Sequence, residues 1–268
     1  MDMRALTFII RFQTAQFKLH FQKLARRTYL IPPPSAVAGL FGAILGISKN
    51  DLKRFCKKQN ILAGAELRNL EGYYVTLSRI FKFDRDDKSI IKLLEEWLLR
   101  EPKGKRTLSD VYRDILGLYP LKESEELFKP EYKFAIAGRD QIIKEGLRRI
   151  RDLDFEYDIF GGNDYHFVDY IGGASEAHLI KSKEGGGYCP VEDVQGISAQ
   201  KYNIITDTNY LSKNPVNLPL VIFAPIGPEM KSFMFVYKTN IMTKSEKIAV
   251  QDKESTIFVF DPCRCLVP

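Results

Sequence analysis

The chain is poor in the residues that build metal centres and disulfide frameworks. Its 268 residues hold four cysteines and three histidines. Cys56, Cys189, Cys263 and Cys265 show no metal-ligand spacing, because the terminal C-x-C has no second Cys or His pair to complete a zinc site. His20, His166 and His178 are scattered along the chain. No metal and no other cofactor is therefore expected, and the lack of a disulfide framework points to a reducing cytoplasm. The P-loop signature G-x-x-x-x-G-K-[ST] is also absent, and Gly39-x-x-Gly42 falls inside a predicted helix, where it makes no phosphate loop. A nucleotide-dependent enzyme is thus disfavoured. Low-complexity tracts and internal repeats are missing too, and 45% hydrophobic with 28% charged residues is an ordinary globular composition.

Long hydrophobic runs are equally scarce. The longest uncharged stretch, Thr28 to Ser48 (TYLIPPPSAVAGLFGAILGIS), is broken by Pro32, Pro33 and Pro34. Its predicted helix, Ala36 to Ile47, would reach roughly 18 Å at ~1.5 Å per residue, short of a ~30 Å bilayer core. A signal peptide would put its apolar core at the extreme N-terminus, where a strand-like stretch lies instead. No membrane contact is expected. The helix is read as a buried one, with Val37, Leu40, Phe41 and Ile44 on a bulky face and Ala36, Gly39, Ala43 and Gly46 on a small one. Ser35 is the candidate N-cap, and the helix N-terminus a candidate phosphate site.

Charge is concentrated just before this helix. Residues 1–34 carry Arg4, Arg11, Lys18, Lys23, Arg26 and Arg27 against Asp2 alone, +5 of a total of +6. Such clustering is the footprint of a polyanionic partner, although a solvated basic face is the bland alternative.

In chain order, Met3 to Phe12 reads as a first strand, and Gln13 to Arg27 as its extension or a basic loop. A second helix covers Asn50 to Gln59, Ala63 to Leu70 fits strand or loop, and Gly72 to Phe83 is a strong strand. Helical patterns at Ser89–Arg100 and Leu108–Leu118 form an insertion over about 84–130. Strand Tyr132–Ala137 and helix Asp140–Arg151 follow, then a strand-like stretch around the glycine turn Gly161-Gly162-Asn163-Asp164. Three β segments close the chain. This order suits an α+β protein: a ferredoxin-like, RRM-type βαββαβ domain over 1–170 with an inserted thumb, and a small antiparallel β subdomain over 171–268.

Thr28, Tyr29, Pro32, Pro33, Ser35, Ala36, Gly39, Leu40, Gly42, Ala43, Ile44, Leu45 and Gly46 spell T-Y-x-x-P-P-x-[ST]-A-x-x-G-L-x-G-A-I-L-G. After a first strand and a basic-aromatic loop, this resembles the N-terminus of the CRISPR-associated "Cas five" family. Those proteins are RAMP-superfamily subunits of the type I surveillance complex, Cascade. Phe160 to Asp164 (FGGND) resembles the glycine loop before the last strand of many members. The resemblance implies a subunit that binds the guide RNA (crRNA), holds its 5′ repeat-derived handle, and touches the backbone subunit and the large subunit. Target DNA is met only indirectly.

The residues suit that task, since single-stranded RNA is held by cations on phosphates, aromatic stacking and close-approaching backbone. Lys18, His20, Lys23, Arg26, Arg27, Tyr29, Ser35, Arg79 and Lys82 are the candidate contacts on this side. Gly161 and Gly162 would admit RNA to the backbone, with Asn163 or Asp164 on a base edge or 2′-hydroxyl. The bland reading of that loop is a tight turn. In one Cascade subtype the family member cuts repeat RNA with a tyrosine and an adjacent lysine–histidine pair, and this chain has no such dipeptide. A non-catalytic binder is expected. The alternative is a metal-independent endoribonuclease using His20, Tyr29 and Lys18.

Overall fold

The structure, a computed structural model, describes residues 3–19, 26–78, 88–118, 122–162, 165–205, 219–227 and 231–264. It opens with β1 (Met3–Phe12), the short strands β2 (Thr14–Ala15), β3 (Phe17–Lys18) and β4 (Thr28–Tyr29), and helices α1 (Pro34–Leu45) and α2 (Leu52–Gln59). Next come β5 (Leu62–Asn69), β6 (Gly72–Ser78), α3 (Lys88–Leu99), α4 (Leu108–Leu118) and β7 (Lys122–Phe128). Then follow β8 (Glu131–Arg139), α5 (Asp140–Asp152), the long β9 (Val168–Gly185), β10 (Tyr188–Pro190), β11 (Val194–Ile197) and β12 (Asn203–Ile205). The last strands are β13 (Leu220–Ile226), β14 (Lys231–Tyr237), β15 (Ile241–Gln251) and β16 (Thr256–Phe258). The chain is thus mixed α and β, with strands dominant. Two compact units result: Met1–Phe21, Arg27–Tyr74 and Glu125–Pro268 form the larger, and Gln22–Arg26 with Val75–Ser124 the smaller.

In the larger unit the main sheet runs β11-β15-β9-β1-β8-β5, with β16 paired to β15. The strands β9, β1, β8 and β5 are antiparallel to their neighbours. Alternation along β1 decides what each face meets. Leu6, Phe8, Ile10 and Phe12 are fully buried in the core that also takes Val37, Phe41 and Ile44 of α1 and Ile143 and Leu147 of α5. The bulky face predicted for α1 is therefore the face it buries. Gly146 lets the helices meet: a Cβ there would lie 2.4 Å from Cε2 of Phe41.

The opposite sheet face is lined by small residues, Ala5, Ala135 and Ala137, and Val250, Ile257 and Val259 of the β15–β16 hairpin close over it. Two polar groups on this face are matched by the hairpin turn. Lys133 Nζ lies 2.6 Å from Asp252 Oδ2, and Thr7 Oγ1 donates to the same oxygen at 2.8 Å. Burial pushes the Asp252 carboxyl up. Hydrogen bonds from Lys133, the Glu254 and Ser255 N–H groups and Thr7 outweigh this and hold it at about 2.

The segment at Ala63–Leu70, open between strand and loop in the sequence, is strand β5. The C-terminal β segments differ from expectation. A second sheet, β10-β14-β13-β12, contains LPLVIFAP and KSFMFVYK, but β12 runs parallel to β13, so it is not wholly antiparallel. TIFVF instead supplies β16 to the main sheet. Strand β15 escapes sequence reading because its middle, Lys244–Lys247, breaks the alternation, and its register against β9 shifts between Met242 and Lys247. Residue 170, the expected domain boundary, lies inside β9.

In the smaller unit, α3 and α4 pack through Val111, Ile115, Leu93 and Leu94, with Trp97 stacked on Tyr112 at 6.2 Å. Thr107 and Asp110 cap α4 reciprocally: the Asp110 N–H donates to Thr107 Oγ1 at 3.2 Å and the Thr107 N–H to Asp110 Oδ2 at 2.9 Å. Among the described residues no helix is long and apolar enough to cross a membrane.

Candidate functional site

Over its described residues 13–19, the basic-aromatic segment continues past β1 as the two short strands β2 and β3. The Gln13 N–H donates to Phe167 O at 2.9 Å as the chain leaves β1. β2 then pairs with β7, and β3 with β4, matching Phe17 to Tyr29 and Lys18 to Thr28. The Phe17 N–H donates to Thr28 Oγ1 at 2.9 Å, and the Leu19 N–H to Arg27 O at 3.0 Å. Period-two alternation sets the side chains. Phe17 and Leu19 are buried, Phe17 against Tyr132 at 5.7 Å, while Lys18 between them is exposed.

The glycine turn docks on the back of this arm. Gln16 N donates to Gly161 O at 2.7 Å, and Gly161 N to His166 O at 2.8 Å. Gly162 has φ of +114°, and a Cβ on it would lie 1.9 Å from Gln16 O. At Gly161 a Cβ would meet Thr14 O at 2.9 Å. The two glycines are required because the protein's own backbone lies there. His166 locks the same contact: it is fully buried, with Nδ1 2.6 Å from Thr14 Oγ1. Burial lowers its pKa, opposed by the Glu126 carboxylate, so the ring is held neutral. Beside it the Tyr74 hydroxyl donates to Glu126 Oε2 at 3.0 Å, and burial together with that carboxylate pushes the phenol up to about 12. Two sequence motifs far apart in the chain thus share one structure.

Several expected contacts need correction. Tyr29 is buried, its hydroxyl donating to Pro225 O at 2.6 Å and its ring 5.8 Å from that of Phe235, so it anchors the second sheet and presents no face to RNA. Ser35 is not the N-cap. Helix α1 starts two residues earlier than expected, at Pro34, Pro33 occupies the cap position, and no side chain caps it. Pro34 has no N–H, and those of Ala36 and Val37 go to Pro33 O at 2.9 and 3.1 Å, which leaves a poor anion site. The small face of α1 receives the protein's own chain. The Tyr157 N–H donates to Ala43 O at 3.2 Å, and a Cβ on Gly46 would lie 2.7 Å from Glu156 Cγ.

The basic cluster is partly neutralised. Arg4 pairs with Asp140 and Glu176, and Arg11 with Asp169 and Glu131, all contributed by distant parts of the chain. Arg27 is half-exposed with Nε 3.6 Å from Glu125 Oε1, and Glu125 also accepts the Thr28 N–H at 3.2 Å. Arg26, in the smaller unit, bridges to Ser124 and donates its N–H to Glu123 O at 2.8 Å. His20, Lys23, Arg79, Lys82, Asn163 and Asp164 lie outside the described residues. Thr14, Gln16, Glu125 and Glu126, which position the arm, were not found from sequence. Glu125 and Glu126 belong to the acidic Lys122–Phe128 (KESEELF), which lies between β2 and β6 in one sheet, and both are buried there.

The family profile described as "CRISPR-associated protein (Cas_Cas5)" matches residues 5–173. No curated protein sequence matches the chain. Among solved structures, a chain of a "CRISPR RNA-guided surveillance complex" is similar at 16% identity and a TM-score of 0.39 over 61% of this chain; this chain spans 60% of that one's length. A CRISPR protein from Archaeoglobus fulgidus is similar at 9% identity and a TM-score of 0.43, over 97% of this chain and 100% of that one. A chain of the Type III-B Cmr-beta complex bound to cognate target RNA and AMPPnP is similar at 15% identity and a TM-score of 0.31, over 91% and 85%. The profile covers both motifs of the arm and more than half of the sequence, and the chain belongs to the CRISPR-associated Cas5 family.

Proposed function

We propose that the chain is a non-catalytic, guide-RNA-binding subunit of a type I CRISPR interference complex in the cytoplasm. In this role it holds the 5′ repeat-derived handle of the crRNA and caps the backbone filament beside the large subunit. The observation that carries the reading is the docking of Gly161–Gly162 on Thr14–Gln16, which fixes the arm whose Lys18 points to solvent and whose Arg27 is half-exposed. A rigid backbone bearing outward cations suits a flexible polyanion, because the protein loses little entropy on binding. The strand order β9-β1-β8-β5, with helices on the β1–β5 and β8–β9 connections, supports a ferredoxin-like domain. The smaller unit would be its thumb, built on helices α3 and α4.

Engagement of the Tyr29 hydroxyl by Pro225 O favours binding over cleavage, since that tyrosine belongs to the alternative acid–base set. The test is titration of purified protein with handle RNA across a salt series. Lys18→Ala with Arg27→Ala should weaken binding and lower the salt slope by about 0.7 for each phosphate left without its cation. An unchanged affinity and slope would overturn the assignment of the arm. Discrete cleavage of repeat RNA in EDTA would overturn the non-catalytic role.

A further inference from the structure

Behind the glycine turn the chain carries a second surface of opposite character. A groove of about 590 Å³ runs between the segment after α5 and the start of β9. Its rim consists of large side chains left in water: Leu153 is 61% exposed, Phe167 54% and Tyr157 49%. The floor is Ile159, which is buried, and Val168, which packs on the main core. Scattered exposed hydrophobes are ordinary, but three such residues around one apolar floor mark an interaction site.

Charge selects the occupant. Glu156 and Asp158 line the groove, and no Lys or Arg is among its described lining residues. Glu156 reaches a cation only at 3.8 Å, Arg149 Nη1, and is itself well exposed. In a chain of net charge +6, this patch repels phosphate and suits a basic partner. The apolar floor needs something hydrated lysines alone would not fill.

We propose that this groove docks a protein segment of a neighbouring subunit, with an aliphatic or aromatic side chain seated between Leu153, Tyr157 and Phe167 and a flanking Lys or Arg facing Glu156 and Asp158. The proposal rests on the reading that the chain works inside a multi-subunit complex, and it assigns RNA and this partner to different surfaces. A photo-reactive phenylalanine at position 153 or 157, in the complex purified from its host, tests it. The expected product joins position 153 or 157 to a protein peptide carrying Leu, Ile, Val, Met or Phe within three residues of Lys or Arg. Cross-linking to RNA, to a second copy of this chain, to a peptide without a basic residue, or to nothing would overturn it. In a second arm, Asp158→Lys with Leu153→Lys should lower co-purification of the cross-linked partner about tenfold, the loss ordinary for a buried anchor and its charge. Thermal midpoint and RNA affinity should stay as in the parent, and undiminished co-purification would overturn the proposal. Failure of the parent chain to bind RNA would sink the RNA role alone, because the cross-link reports on the groove independently.

Discussion

Replacing Gly162 with alanine is the sharpest probe of the docked loop. Its φ of +114° lies where an L-residue with a side chain is strained, which costs about 1–3 kcal/mol. The new methyl would start 1.9 Å from Gln16 O, so the loop must retreat from the arm. That movement sacrifices the Gln16 N–H to Gly161 O bond, worth about 1 kcal/mol. Together these come to about 2–4 kcal/mol. Gly173→Ala is the matched control in the same unit: φ is again positive, at +62°, but its nearest neighbour is the Ile9 Cδ1 methyl at 3.3 Å. It should cost about 1–2 kcal/mol, mostly backbone strain. Urea unfolding followed by tyrosine fluorescence and circular dichroism gives both values. RNA titration of the folded variants should show Gly162→Ala weakened and Gly173→Ala unchanged. If the two variants lose the same stability and bind RNA alike, the loop does not position the arm.

Removal of the Asp252 carboxylate by Asp252→Ala leaves Lys133 buried without its main partner and should cost about 3–5 kcal/mol in urea unfolding. Because the folded carboxyl sits at about 2, below its ordinary value, its stabilisation is complete above about pH 4 and should fade as pH drops toward 2. His166 works in the opposite pH range. Its folded pKa is lowered, so below about pH 6.5 the unfolded chain takes up the proton first and stability should fall, as unfolding at pH 8.0 and 5.5 would reveal through a drop that His166→Asn abolishes. Tyr29→Phe should lose about 1 kcal/mol, the bond to Pro225 O, and leave RNA affinity unchanged; a drop in affinity would restore Tyr29 to the RNA surface.

Local pattern carried a good part of the fold. The extent of β1, the bulky face of α1, helix α4 with its first residue at Leu108, and helix α5 from Asp140 followed from periodicity, because each element buries one stripe or face of its side chains. The motif residues from Thr28 to Gly46 carried the family. Features set by distant partners stayed hidden. The acidic KESEELF becomes a strand only between β2 and β6, and β15 is a strand despite Lys244–Lys247 because β9 holds both its ends. Tyr29 looked like a stacking platform until the second sheet supplied Pro225 to bind its hydroxyl.

Where the helices form, and where positive charge is dense, depends on neighbours along the chain, so the order of residues was enough to settle both. Which charges remain available was a matter for the folded chain alone: Arg4 and Arg11 meet carboxylates from α5, β8 and β9, while Lys18 is left exposed. Folding also explains why Gly161 and Gly162 are glycines. The contact that demands them is with Thr14 and Gln16, brought against them only when β9 pairs with β1 and folds the turn back onto the arm.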